Sequence, residues 1–363
     1  MTVEQINRQL QELAHLKDED PQKAGKIEKL VRMADSIKDA DLQYKTRDQL
    51  VDAAVYGGYP DKALAAYAWM LQEHDKRAVA GGRYAAMSLL WKYKWVVDRL
   101  TSFSYISREQ IEAALEDMER RYQTNNFGME PILRSRISIG RSLGDRAYVE
   151  QYLEKLKDTP ASWMSDCEAC VSESNFQTQL FLGNYEQAMQ HIEPVLSGRQ
   201  KCRSVPDLTY HLLYLPYIER GKTDDALALY HKKRPLDTPD YLLANANTIF
   251  LMLAAGKMPS ALKIFSRNVG LVFDSNNERA QLNFYRAAGR LFTELSKKQK
   301  KSTVKLDLSP RLPFYEQSNE YDIETLRHYF TKEAERLTAA FDARNGNTTN
   351  RDRLNRLMEM PLE

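Results

Sequence analysis

The sequence predicts an all-α protein, a right-handed solenoid of helical hairpins closed by a C-terminal capping helix, and three observations carry that expectation. Turn formers are scarce: Gly 15 and Pro 13 among 363 residues fall below the roughly 12% these two residues usually supply, too few for the tight turns of a sandwich or barrel. Ala, Leu, Glu, Lys, Gln and Arg instead fill long stretches with helix formers. A short pattern also recurs, with Gly followed five residues later by Ala and four residues beyond that by an aromatic or aliphatic residue. It reads Gly58, Ala63, Tyr67; Gly183, Ala188, Ile192; Gly221, Ala226, Tyr230; and Gly256, Ala261, Phe265, the last three copies 38 and 35 residues apart.

Taken in order, apolar periodicity and capping residues place helices near 3 to 16, 21 to 37, 41 to 56, 60 to 74, 83 to 100, 107 to 123, 130 to 142, 146 to 157, 168 to 182, 185 to 197, 206 to 219, 223 to 232, 240 to 255, 258 to 267 and 276 to 296. Each recurring Gly ends one amphipathic stretch and precedes another, as in Asp207 to Arg220 and Thr223 to Lys232. Glycine stops the first helix, and the small Ala admits the second close against it. Between the clear copies, residues 106–122 and 130–156 read as degenerate units, with Gly144 a turn 39 residues before Gly183. Residues 1–295 are expected as the repeat solenoid, 296–319 as a Lys- and Pro-containing connector, and 320–363 as a capping helix and tail. The cap is amphipathic through Leu326, Tyr329, Phe330, Ala334, Leu337 and Phe341, and Asn345-Gly346 supply left-handed residues to stop it. Asp342 and Arg344 are placed to tie the cap to the solenoid.

The repeated pattern resembles the tetratricopeptide repeat, a helix-turn-helix unit of about 34 residues, with Gly183-Asn184-Tyr185-Glu186-Gln187-Ala188-Met189 the nearest match to its turn and second helix. The first-helix half is kept less well, since Tyr214 stands beside Leu213 where that repeat has a small residue. Over roughly residues 85–346 the chain also resembles a group of bacterial tetratricopeptide proteins. That likeness is carried by Trp91 to Trp95, Ile111 to Tyr122, Asp166-Cys167 to Cys170, Cys202 to Pro206, Pro216 to Ala226 and Phe341 to Gly346. It implies the fold and a bacterial, intracellular setting, and no activity.

Balanced charge, 52 basic against 50 acidic residues, gives +2 and does not announce a nucleic-acid binder. No stretch has the apolar length of a signal peptide or a membrane span, and three cysteines make no disulfide framework, so the cytoplasm is the expected compartment. No Gly-rich phosphate loop, H-E-x-x-H or G-x-S-x-G is present. The expected function is therefore a non-catalytic scaffold for a protein or peptide, its groove near Glu173, Gln177, His211 and Asn247 in the register of the repeat family. The alternative is a regulatory RNA or DNA binder using Trp91 and Trp95, with Lys92 and Lys94 turned away, and the run Lys297, Lys298, Lys300, Lys301, Lys305.

The sharpest chemical feature is Cys167 and Cys170, two residues between them, with Cys202 nearly one repeat later, 32 residues on. In stacked hairpins the starts of successive first helices lie at one edge, so the sulfurs can converge on a structural zinc. The expected fourth ligand is His231, whose helix runs back toward that edge; His211 is about 13 Å along its own helix at 1.5 Å per residue. His191 and Asp166 are held in reserve. Two other readings stand beside zinc: the cysteines as small buried hydrophobes, and a redox pair, for which the thioredoxin-like context is missing.

Overall fold

The computed structural model describes residues 2–18, 20–77, 82–298, 301–310 and 312–362. Among them are seventeen α-helices, short 3-10 turns and one two-stranded antiparallel sheet, so the chain is all-α. The chain divides into two compact units. One comprises Met1–Ile139, Val149–Ser165 and Thr238–Asp240; the other comprises Gly140–Tyr148, Asp166–Asp237 and Tyr241–Glu363. The stretch 1–295 is thus shared between the units, and 296–363 belongs to the second.

The first unit contains α1 (Val3–Ala14), α2 (Pro21–Ile37), α3 (Ala40–Gly57), α4 (Pro60–Lys76), α5 (Gly82–Arg99) and α6 (Arg108–Thr124), together with most of α7 (Glu130–Leu143) and α8 (Arg146–Lys157). Their starts are written locally. Thr2 with Gln5 and Ser107 with Gln110 form capping boxes, while Asp20 and Asp39 accept from Gln22 and Leu42 amides, which satisfies donors that helix starts leave orphaned. From α1 to α6 each helix packs on the next. Buried tyrosines cross the contacts with their hydroxyls satisfied: Tyr67 donates to the Leu89 carbonyl at 2.8 Å and Tyr122 to the Leu90 carbonyl at 3.1 Å.

The second unit holds α9 (Glu168–Phe181), α10 (Tyr185–Leu196), α11 (Tyr214–Ile218), α12 (Thr223–Lys232), α13 (Leu242–Ala254), α14 (Met258–Asp274), α15 (Glu278–Lys298), α16 (Ile323–Asn345) and α17 (Thr349–Glu359). The glycines that end α3, α7, α9, α11 and α13 share one turn geometry. Gly58, Gly144, Gly183, Gly221 and Gly256 have φ of 81°, 71°, 80°, 68° and 66°, a left-handed conformation that costs a β-carbon roughly 1–2 kcal/mol. In each turn the residue after glycine donates its N–H to the carbonyl five residues back: Tyr59 to Ala54, Asp145 to Gly140, Asn184 to Gln179, Lys222 to Tyr217 and Lys257 to Met252. That bond defines a Schellman stop. The alanines of the pattern, Ala63, Ala188, Ala226 and Ala261, are each 0% exposed, so a larger side chain there would overpack the helix contact at about 1–3 kcal/mol.

Three stretches differ from expectation, each for a local reason. Residues 206–219 are not one helix but a loop, a 3-10 turn at Tyr210–Leu213 and the short α11. Pro216 lacks the N–H that a regular α-turn would donate to Leu212 and its ring crowds that carbonyl, which favours the tighter turn before it. Helix α14 runs on to Asp274, its added turns burying Asn268, Val269 and Val272, with Asn268 bonded to Asn245 and Asp237. Past Gly346 (φ 69°) the chain adds α17, whose amides Asn350 and Arg351 donate to the Asp342 carboxylate. Asn347 also donates to the Leu143 carbonyl at 2.8 Å, so the end of α16 is tied to the α7 turn within this unit. The cap residues Leu326, Phe330, Ala334, Leu337 and Phe341 are buried in the core of α13 to α15. In the connector, Thr303–Lys305 pairs with Glu320–Asp322.

Candidate metal centre

The C-x-x-C spacing works here through helix-start geometry. Cys167 is the N-cap of α9 and Cys170 its third helical residue, the two positions whose side chains meet in a capping box. Cys202 arrives from the loop between α10 and the 3-10 turn. That loop is held by Ser172 donating to Gln200 Oε1 at 2.7 Å, Gln200 N–H to the Pro194 carbonyl at 2.9 Å, and Cys202 N–H to the Val205 carbonyl at 2.9 Å. All three sulfurs lie within 4.8 Å of one another. Cys170 Sγ and Cys202 Sγ are 3.6 Å apart and unbonded. A tetrahedral zinc with bonds of about 2.3 Å places its sulfurs roughly 3.8 Å apart, so this pair already has the spacing of two ligands on one ion.

Cys170 and Cys202 pack half-buried against Ala169, Phe176, Ile192 and Val205, whereas Cys167 is exposed. Partial burial opposes ionisation of Cys167, yet the amides of Cys170 and Ala169 and the two neighbouring thiols outweigh it and hold its pKa below the ordinary thiol value. Burial, then the adjacent sulfurs, push the Cys170 thiol well up. Three thiols this close cannot all ionise without a cation among them.

His231 does not join the cluster. Its side chain is exposed at the end of α12 against Tyr230, ring centroids 5.5 Å apart. Its placement depended on a full first helix after Cys202, and that arm is loop as far as Thr209. Asp166, exposed, and His191, on α10 with its pKa lowered by burial, are not in the group either. Among the described residues the three cysteines are the whole cluster.

Of the expected groove residues, His211 and Asn247 are buried and Glu173 and Gln177 half-buried. His211 and Asn247 are 7% and 6% exposed, and Asn247 Nδ2 donates both to His211 Nδ1 at 3.2 Å and to the His211 carbonyl at 3.1 Å. The imidazole proton is therefore on Nε2, and burial lowers the His211 pKa to about 4. Glu173 accepts from Thr209 Oγ1 at 2.6 Å and Gln177 Nε2 at 3.0 Å, and burial raises its pKa. The Glu173–Thr209 and His211–Asn247 bonds link α9 to the loop after α10 and the 3-10 turn to α13, while the half-buried Gln177 bonds Glu173 within α9. Two more that sequence reading missed act alike: Arg141 donates to the Ser174 carbonyl and to Thr178. Nothing in their spacing marks them, because Arg and Thr on a helix read as surface.

The tryptophan cluster is consumed in the same way. Lys92 and Lys94, expected to be turned away, are 7% and 5% exposed. Lys92 pairs with Asp48 and Asp52 at 2.7 and 3.0 Å. Lys94 donates to the Met164 carbonyl at 2.8 Å, its ammonium 3.5 Å from the Trp91 ring centroid, and Trp95 packs edge-on against Tyr56. In the basic run, Lys297 pairs with Glu294 at 3.0 Å, and Lys300 lies outside the described residues. No protein-family model and no curated protein matches the chain, so its function has to be argued from this geometry.

Proposed function

We propose that the chain is a non-catalytic scaffold of stacked helical hairpins, tetratricopeptide-like in architecture, that binds a protein or peptide, and that Cys167, Cys170 and Cys202 hold a zinc ion joining one hairpin to the next. The convergence of three thiols from the start of α9 and the following inter-hairpin loop carries the metal reading. The shared Schellman turns and buried alanines support the repeat reading. In such a stack each unit leans on its neighbours, so a metal clamping a junction contributes directly to folding stability.

Elemental analysis of protein purified without added metal should find one zinc per chain. A chelator should then lower the melting temperature: a ligand present at about 100 times its Kd stabilises by about 2.7 kcal/mol, roughly 5–10 °C for a unit of this size. Cys202→Ser should lose the metal and lower the melting temperature similarly, with most helicity retained. Clearly substoichiometric zinc in the wild type, with no chelator effect, returns the cysteines to simple packing.

A further inference from the structure

We infer that the fourth coordination position of this metal is filled from outside the chain, by a thiol; the inference rests on the zinc reading above. Three sulfurs within 4.8 Å of one another form one triangular face for an ion. A zinc bonded to all three at about 2.3 Å has one tetrahedral direction left, and no histidine, aspartate or glutamate among the described residues shares the cluster to occupy it. Exposure falls at the right end of the face: Cys167 is exposed while Cys170 and Cys202 lean into the core. The exposed Cys167 side is therefore where we place the approach of an incoming ligand.

The donor class follows from the ion's existing partners. Thiolates are among the ligands that select zinc, and an incoming thiol completes the set with a fourth donor of the same kind. The charges that flank the cysteines in sequence balance, with Asp166 and Glu168 beside Cys167 and Lys201 and Arg203 beside Cys202, all four exposed, so they neither repel nor demand an anion. On binding, the thiol R–SH gives its proton to solvent, its sulfur forms one bond to the metal, and a water leaves. No electron is transferred. The consequence is a site at a hairpin junction that reports soft sulfur ligands while remaining a clamp.

Cobalt(II) tests this, because its visible spectrum distinguishes three thiolates plus oxygen from four thiolates. Full-length protein is loaded anaerobically with one equivalent of cobalt, titrated with 2-mercaptoethanol, and desalted to measure the cobalt retained. The expected result is a saturable shift of the d–d bands at one thiol per cobalt, with the metal kept and His231→Ala behaving identically. Stoichiometric cobalt with a four-coordinate spectrum that thiol does not move, or thiol that only strips the metal, overturns the inference and leaves the zinc clamp standing. A folded protein, checked by circular dichroism, that takes up no cobalt and contains no zinc overturns both.

Discussion

Successive hairpins of the second unit are joined by two kinds of polar contact, and their difference separates what holds the fold from what can meet a ligand. Between α9 and the loop after α10, Glu173 meets Thr209, and between the 3-10 turn and α13, His211 meets Asn247, in hydrogen bonds made within the chain. At the start of α9 the three thiols converge with Cys167 exposed and, among the described residues, no histidine, aspartate or glutamate in the group. Buried polar groups with mutual partners offer nothing to a visitor, since competing for them means breaking a satisfied pair. An unsaturated, partly exposed set of soft donors is the reverse. On the reading proposed above, the buried contacts belong to the architecture and the cysteine cluster to its chemistry.

Acid separates the two buried contacts most strongly. His211 has its pKa lowered to about 4 by burial, against an ordinary value of 6.5. Above pH 6.5 both folded and unfolded chains hold it neutral and its contribution is whole. As pH falls from 6.5 toward 4 only the unfolded chain takes the proton, so stability is lost, by about 3 kcal/mol when complete at 1.36 kcal/mol per pKa unit. Glu173 has its pKa raised by burial, so above its ordinary value the folded chain keeps a proton that the unfolded chain releases, and falling pH favours folding there. Going down from pH 6.5 the His211 loss acts throughout, and the Glu173 gain opposes it on the approach to 4.5. Denaturant melts across that window should show a steeper acid loss in Glu173→Gln and a shallower one in His211→Gln than in the wild type. Equal slopes in all three would mean that neither group is buried as described.

Asn247→Ala should cost somewhat less, about 1–3 kcal/mol, because it strands the His211 carbonyl and Nδ1 without a donor in a buried place. Urea melts measure it, and the zinc content should be unchanged, since the buried contact and the cysteine cluster are independent. A variant that loses zinc as well as stability would show the two regions to be coupled.

The hairpin turns were legible because their cause is local: a glycine at positive φ, followed five residues on by alanine in four of the five turns and by Val149 after Gly144, leaves a recurring mark. The cysteines were legible because N-cap and third helical position are neighbours by helix geometry alone, and the loop after α10 brings Cys202 back to the start of α9. Burial of His211, Asn247, Lys92 and Lys94 was not legible, since a polar residue on a helix reads the same whether water or a neighbouring hairpin supplies its partner. Helix α17 escaped for a related reason: among its charged residues only Leu354 and Leu357 carry an apolar face, and Asn345-Gly346 reads as an ending. The length of the arm after Cys202 depended on how Pro206 and Pro216 share the backbone between loop and 3-10 turn, and His231 was misplaced with it.

His231 therefore gives the smallest expected effect and the sharpest test of where the metal site ends. The side chain is exposed in the last turn of α12, and a surface substitution away from special features stays within about 0.5 kcal/mol. His231→Ala should melt with the wild type and carry the same zinc. If zinc content instead falls with the imidazole, the ion has four protein ligands, the α12 end moves to the cluster when metal binds, and the outside thiol loses its place. If zinc stays and only Cys202→Ser removes it, the three sulfurs alone define the centre, and the open direction beside Cys167 is where a fourth ligand has to come in.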